Sequence, residues 1–302
     1  MYLKFNGIQA GGWGELHVVD LPAPEDDLDP TRTDNLSSDG QLAGADYLRK
    51  AVWNITLLVN TWTYKDGRRV VNAVRDAWLD PNVRLSTETF PLEYSKNGIH
   101  WFKVYGRPTK YGGPPEGVRL DQGLAHIELQ FEQLDLLHYS TIEETATARV
   151  ARGASGGIRI HDYGLRAPLT VGRTGGVRNE RVVNSGDREA WAFVRFNGPC
   201  KNPWIRLGES WRLEINGTLA WDEFLEIDSR SRIVELKRTT GHSVRPAYNM
   251  IGKGSRISTL TIPPGSNALV YSSLDDTQQA SVDVQWTHTF SSMQHTIGDE
   301  QA

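Results

Sequence analysis

Gly252-Lys253-Gly254-Ser255 is the stretch of this chain that comes nearest to a phosphate-binding loop. Such a loop sets a glycine five residues ahead of a Gly-Lys-[Ser/Thr] triplet, so that backbone N–H groups surround the phosphates. Position 247 is Ala247 and Lys253 is followed by a second glycine, so the pattern is not met. The eight histidines, His17, His100, His126, His138, His161, His242, His288 and His295, contain no HExxH and no pair at helical spacing. Structural histidines, solvated or hydrogen-bonded, are expected rather than metal ligands. Asp222, Glu223, Glu226 and Asp228 are dense enough to suggest a glycosidase pair or a calcium site. Glu226 and Asp228 flank Ile227, however, which reads as inward facing, so a hairpin with its charges in water is the expectation.

Ten tryptophans raise the idea of a sugar platform, because an exposed indole stacks on a pyranose ring. Trp204, Trp211 and Trp221 are the candidates for that role. Trp53, Trp101, Trp211 and Trp286 sit within strand patterns, where aromatic residues belong to cores. Arg152, Arg159, Arg166, Arg173, Arg178, Arg181, Arg188 and Arg195 are interleaved with acids and glycines, which favours an interface surface over a nucleic-acid site. Cys200, the only cysteine, excludes an intrachain disulfide and a cysteine-built zinc site, and it reads as a small buried apolar residue. No catalytic, cofactor-binding or metal-binding set of residues emerges.

The elements that would position these residues are mostly strands. Trp53, Ile55, Leu57 and Val59 alternate, as do Ile127, Leu129 and Phe131 against His126, Glu128, Gln130 and Glu132. One helix is predicted, capped by Asp66, with Val70, Val74 and Trp78 on its buried face and Pro81 ending it. Leu21 to Asp46 combines Pro, Gly and acids without a period and reads as a long exposed loop or arm. A linker is placed near Thr141 to Gly157. Beyond it, Phe193 to Phe196, Trp211/Leu213/Ile215, Leu225/Ile227, Ile233 to Leu236, Leu269/Tyr271 and Val282/Val284/Trp286 read as an antiparallel sandwich, with Asn216-Gly217 as a hairpin cue.

At 302 residues the chain suits two domains, taken as 1–145 and 158–302. No apolar run approaches the roughly 18 residues of a membrane span, and no signal-peptide pattern opens the sequence, so no membrane insertion is expected. The net charge of -4 gives no overall attraction for nucleic acid. The first 150 residues carry 15 Lys and Arg against 21 Asp and Glu, a net of -6, while the remainder is net +2.

Several short elements in fixed order resemble the distal tail (Dit) and minor tail protein family of long-tailed bacteriophages. In the first half they are Phe5-Asn6-Gly7, then Asp39-Gly40 with Gly44 and Asp46, the helix, WFKVYGRP, and Phe131-Glu132 with Asp135 and Tyr139. The second half adds Asn184-Ser185-Gly186-Asp187, Gly198-Pro199 with Asn202-Pro203, Leu225-Glu226-Ile227-Asp228 with Arg232-Ile233-Val234, and Pro264-Gly265-Ser266-Asn267. All of them read as turns and hairpins, and the resemblance carries no catalytic residue or cofactor with it.

The resemblance implies a mainly β protein: an N-terminal β-sandwich with one α-helix that forms a ring, then a second antiparallel β-sandwich, galectin-like or carbohydrate-module-like. It further implies a homo-hexamer at the virion tail tip, assembled in the host bacterial cytoplasm. That ring would join the tail tube protein to the tail-tip hub, with the tape measure protein as a further partner, and leave a channel for DNA without binding it specifically. Asp26, Asp27, Asp29, Asp34 and Asp39 are then candidates for the lumen or rim of the ring. The rival readings are a carbohydrate-binding tail-tip component contacting the host envelope and a glycan hydrolase. The hydrolase would need two carboxylates roughly 5 to 9.5 Å apart.

Overall fold

The computed structural model describes residues 1–34, 39, 41–114, 122–149, 179–239, 244–274 and 279–293. They form a mainly β protein in two compact units, Met1–Ile142 with the described residues from Phe290 onward, and Glu143–Thr289.

In the first unit an antiparallel sheet runs in the order Ile8–Ala10, Tyr2–Phe5, Phe90–Ser95, Phe102–Gly112, Leu124–Arg149 and Tyr47–Asn60. The alternation expected from sequence is present: Trp53, Ile55, Leu57 and Val59 are buried, and so are Ile127, Leu129 and Phe131 across from them. The helix Tyr64–Trp78 covers this apolar face. Its cap is Thr63 rather than Asp66: the Thr63 hydroxyl accepts the Asp66 N–H at 3.2 Å and donates to the Asp66 carboxylate at 2.6 Å. Asp66 therefore sits in the first turn, where a carboxylate also suits the helix dipole. The buried stripe is Gly67, Val71, Val74 and Trp78, one position round from the Val70 that was expected. Pro81 does more than end this helix. It opens a second, four-residue one, Pro81–Arg84, capped by Asp80.

The segment expected as a loop, Leu21 to Asp46, holds three short strands among its described residues. Glu25–Asp29 pairs with the start of Tyr47–Asn60, and Arg32–Asp34 pairs with Gln41–Ala43, so the chain goes out and returns as one ribbon. Its acidic side chains hide the strand from pattern reading, because ladder bonds of the backbone carry no side-chain signature.

In the second unit two antiparallel sheets enclose one core. One runs Ser281–Phe290, Phe193–Asn197, Glu223–Asp228, Ile233–Arg238, Val244–Pro246. The other runs Asn179–Asn184, Gly265–Ser272, Trp204–Leu207, Trp211–Glu214. Phe196, Leu213, Leu225, Ile227, Leu269 and Val284 are fully buried between them. The expected linker begins as strand: Thr141 to Arg149 continues Leu124–Arg149, and Ala148 is buried in this second core. The rest of it, 150–157, lies outside the described residues. Asn216-Gly217 is not a two-residue hairpin. Trp211–Glu214 pairs with Trp204–Leu207, while Thr218–Leu219 pairs with Cys200–Lys201, so the Asn-Gly step turns the chain between two different partners.

Candidate assembly interface

Most of the described polar residues singled out from sequence are engaged in local structure. Gly252 N–H donates to the Glu214 carbonyl at 2.7 Å and Ser255 Oγ accepts from the Glu214 N–H at 2.9 Å, so the Gly252–Ser255 loop is bonded to a strand. Of the carboxylates, Glu223 is buried rather than in water, held by the Arg238 guanidinium at 2.7 Å and the Ala220 N–H at 3.0 Å. Glu226 takes the Lys237 ammonium at 2.6 Å, and Asp228 accepts from the Arg230 and Ser231 N–H groups across the hairpin bend. His138 is buried 2.7 Å from the Tyr94 hydroxyl, His288 accepts from the Ser185 N–H, and His100 and His126 are exposed. His161, His242 and His295 lie outside the described residues. Among the described residues no group of three or more His, Cys, Asp or Glu side chains is placed to hold a metal ion. Likewise no described helix is long and apolar enough to cross a membrane.

Glu223 gives a pH prediction. The Ala220 N–H and the Arg238 guanidinium both favour its charged form, so its pKa lies below the ordinary 4.5. A carboxylate depressed in the folded state contributes stability that is fully present above its unfolded value and is lost as pH falls through the folded one. Glu223→Gln should therefore narrow the difference in denaturation midpoint between pH 6 and pH 3, measured by urea titration at both. An unchanged difference would remove Glu223 from the acid response.

The sugar-stacking candidates do not converge. Trp204 faces outward, half-buried, with the Arg212 guanidinium 4.4 Å from its ring centre. Trp211, on the paired strand, faces the core and donates its indole N–H to the Thr261 carbonyl at 2.7 Å. Trp221 stands apart in a turn and is exposed. Of the arginine series, Arg152, Arg159, Arg166, Arg173 and Arg178 lie outside the described residues. Arg181 donates to the Ser266 hydroxyl and Arg195 lies over the Phe224 ring at 3.8 Å. Cys200 is buried.

The five acidic candidates all belong to the ribbon of residues 25–52. Asp26, Asp27 and Asp29 lie on Glu25–Asp29 and Asp34 ends Arg32–Asp34, though their side chains are outside the described residues, and Asp39 is exposed near the tip. Between its two strand pairings, Gly44 N–H donates to the Thr31 carbonyl at 2.7 Å and the Thr31 N–H donates to the Asp46 carboxylate at 3.2 Å. The Gly44 and Asp46 of the sequence resemblance thus join the two pairings of this ribbon.

The other elements behind the resemblance also have specific structural work. Asn6 and Gly7 take positive φ in a turn, and the Asn6 amide donates to the Ala77 carbonyl and the Asp80 carboxylate, tying the first hairpin to the helix end. Gly106, Asp135 and Tyr139 meet where Phe102–Gly112 and Leu124–Arg149 fall out of register. There Asp135 accepts the Tyr139 hydroxyl at 2.7 Å, and a Cβ on Gly106 would collide with the Glu132 carbonyl.

Sequence reading missed the exposed apolar residues. Trp13 and Trp62 are fully exposed, and Leu85 is nearly so. Trp13 lies among glycines and Trp62 between threonines, and that local setting was the available signal. Leu85 borders a groove of about 450 Å³ whose other lining residues are Val83, Arg84, Arg107, Pro108, Thr109, Glu132 and Leu134. The Arg107 guanidinium shapes it by donating to the Val83 and Arg84 carbonyls at 2.9 Å and to that of Ser86.

No protein-family model matches the chain, and no curated protein matches it. Solved structures do. Two chains of the phage P2 baseplate in its activated conformation, one with Ca and one with Sr, are each 12% identical, covering 90% of this chain and 91% of the other at a TM-score of 0.49. The crystal structure of the phage SPP1 Dit protein (gp 19.1) matches at a TM-score of 0.60 with 14% identity, over 96% of this chain and 98% of that one. The chain has the fold of a bacteriophage Dit protein.

Proposed function

We propose that the protein is a structural, non-enzymatic component of a phage tail tip. Six copies close a ring at the distal end of the tail, joining the tail tube protein to the tail-tip hub and leaving a channel for DNA, with the tape measure protein as a further contact. The observation that carries this reading is the likeness to SPP1 Dit, which extends over both units at nearly full coverage of both chains. SPP1 Dit is described as a paradigm of the hub adsorption apparatus in phages infecting Gram-positive bacteria. The virion tail tip, reached after assembly in the host cytoplasm, is the corresponding location.

Physical chemistry adds support. A head-to-tail contact repeated with a rotation that divides a full turn closes into a ring. The first 150 residues, net -6, would line it with repeated negative charge, the ribbon carrying Asp26, Asp27, Asp29, Asp34 and Asp39 at the lumen or rim. Duplex DNA has one negative charge per roughly 1.7 Å, so an acidic wall lets it slide where a basic wall would hold it. The second unit has its own core and would lie outside the ring. Carbohydrate binding by that unit has less support, since only Trp221 of its three candidates is well exposed. Native mass spectrometry of the purified chain tests the ring: a species of six times 33.8 kDa is expected, and a monomer persisting at high concentration would overturn it.

A further inference from the structure

Trp13 and Trp62 flank one end of a strand pair, Leu16–Asp20 with Tyr47–Asn60. Leu16 pairs with Val59 and the Asn60 N–H donates to the Glu15 carbonyl at 2.8 Å, and each tryptophan lies two residues beyond that bond along the chain, Trp13 in a turn and Trp62 in a bend. Both side chains are wholly in water. Leaving two indoles there is unfavourable unless something covers them, and tryptophan is the residue most enriched at the energetic centres of protein interfaces.

The groove beside Leu85 has the complementary chemistry. Its apolar walls are Val83, Pro108, Leu134 and Leu85 itself, the last two exposed. Arg84, also exposed, supplies a guanidinium group of the kind that stacks on indole faces, while Arg107 is held by backbone carbonyls and Thr109 and Glu132 complete the lining. A volume of about 450 Å³ is within the range of pockets that enclose small organic ligands, and so admits an indole side chain.

Knob and groove cannot meet within one chain. The Thr61 N–H donates to the Gly123 carbonyl, which fixes the tryptophan end against the start of the strand Leu124–Arg149. The groove lies where Arg107 pairs with Glu132 on that strand. Nine residues of strand separate Gly123 from Glu132, about 30 Å at 3.3 Å per residue. A knob on one end and a fitting groove about 30 Å away make a heterologous contact, the kind from which rings are built. Two indoles supply about 300 to 500 Å² of buried surface, a large share of the roughly 800 Å² per partner in a standard interface.

Resting on the ring reading above, we infer that the occupant is a second copy of this chain: Trp13 and Trp62 of one subunit seat in the Val83–Leu85, Arg107–Pro108 and Leu134 groove of the next. The test compares the full chain with a Trp13→Ala/Trp62→Ala variant by mass photometry. Both positions are fully exposed, so the variant should keep the native circular dichroism while its hexamer falls to monomer. A Trp62→Cys/Leu134→Cys double variant should give a ladder of disulfide-linked oligomers under mild oxidation, and neither single variant should. The native Cys200 is buried and stays out of the reaction. A hexameric full chain whose tryptophan variant stays hexameric, with no ladder, would overturn this contact and leave the ring intact. A monomeric full chain would overturn both.

Discussion

Trp53→Ala is expected to destabilise the first unit by about 5 kcal/mol. The side chain is fully enclosed, packed 5.2 Å from the Tyr94 ring centre, and its indole N–H donates to Gln133 Oε1 at 2.8 Å. Truncating a buried tryptophan costs about 3 to 5 kcal/mol through lost transfer energy and the cavity left behind. The buried Gln133 oxygen would also lose this donor, adding about 1 kcal/mol or more. Since whole domains have only about 5 to 15 kcal/mol of stability, the unit should be close to unfolded at 37 °C. Guanidinium titration by far-UV circular dichroism is the check. Trp53→Phe keeps most of the packing and should recover all but about 2 kcal/mol of the loss. Equal midpoints for Trp53→Ala and the parent would show that this core does not depend on the indole.

The second large effect is expected at Asn184, in the turn Asn184-Ser185-Gly186-Asp187. Asn184 is fully buried; its amide donates to the Arg188 carbonyl at 2.7 Å and the Ile262 carbonyl at 3.0 Å, while its oxygen accepts the Gly186 N–H at 3.1 Å. Asn184→Leu removes all three bonds and leaves backbone groups unpaired, a loss of about 3 to 4 kcal/mol in the second unit. Asn184→Asp should cost at least as much, because it sets carboxylate oxygens against two carbonyls. The neighbouring Gly186 is equally constrained, since a Cβ there would run into the Thr289 backbone. If Asn184→Asp were as stable as the parent at pH 7 by urea titration, this bond set would not be what holds the turn.

The strands of both cores were legible because an alternating pattern is a direct image of one buried face. Trp53 to Val59 and Leu225 to Ile227 illustrate it, and the polar bend after Asp228 was legible from its residue types. What escaped was set by contacts remote in sequence. Glu25–Asp29 is a strand through its bonds to Tyr47–Asn60, and nothing in Glu-Asp-Asp-Leu-Asp announces them. Asn216-Gly217 has hairpin chemistry, yet pairing with Cys200–Lys201 overrides it. The buried Gln133 and His138 depend on a register shift that only the two paired strands together define. The groove beside Leu85 is assembled from three separate segments, which no single stretch of sequence displays.

The central claim, a ring that continues a tail tube, is tested most directly by negative-stain electron microscopy of the purified full chain. Class averages are predicted to show a six-fold ring with an open centre and additional density around its outside. Isolated particles of single-chain size, or closed assemblies with no central channel, would contradict it.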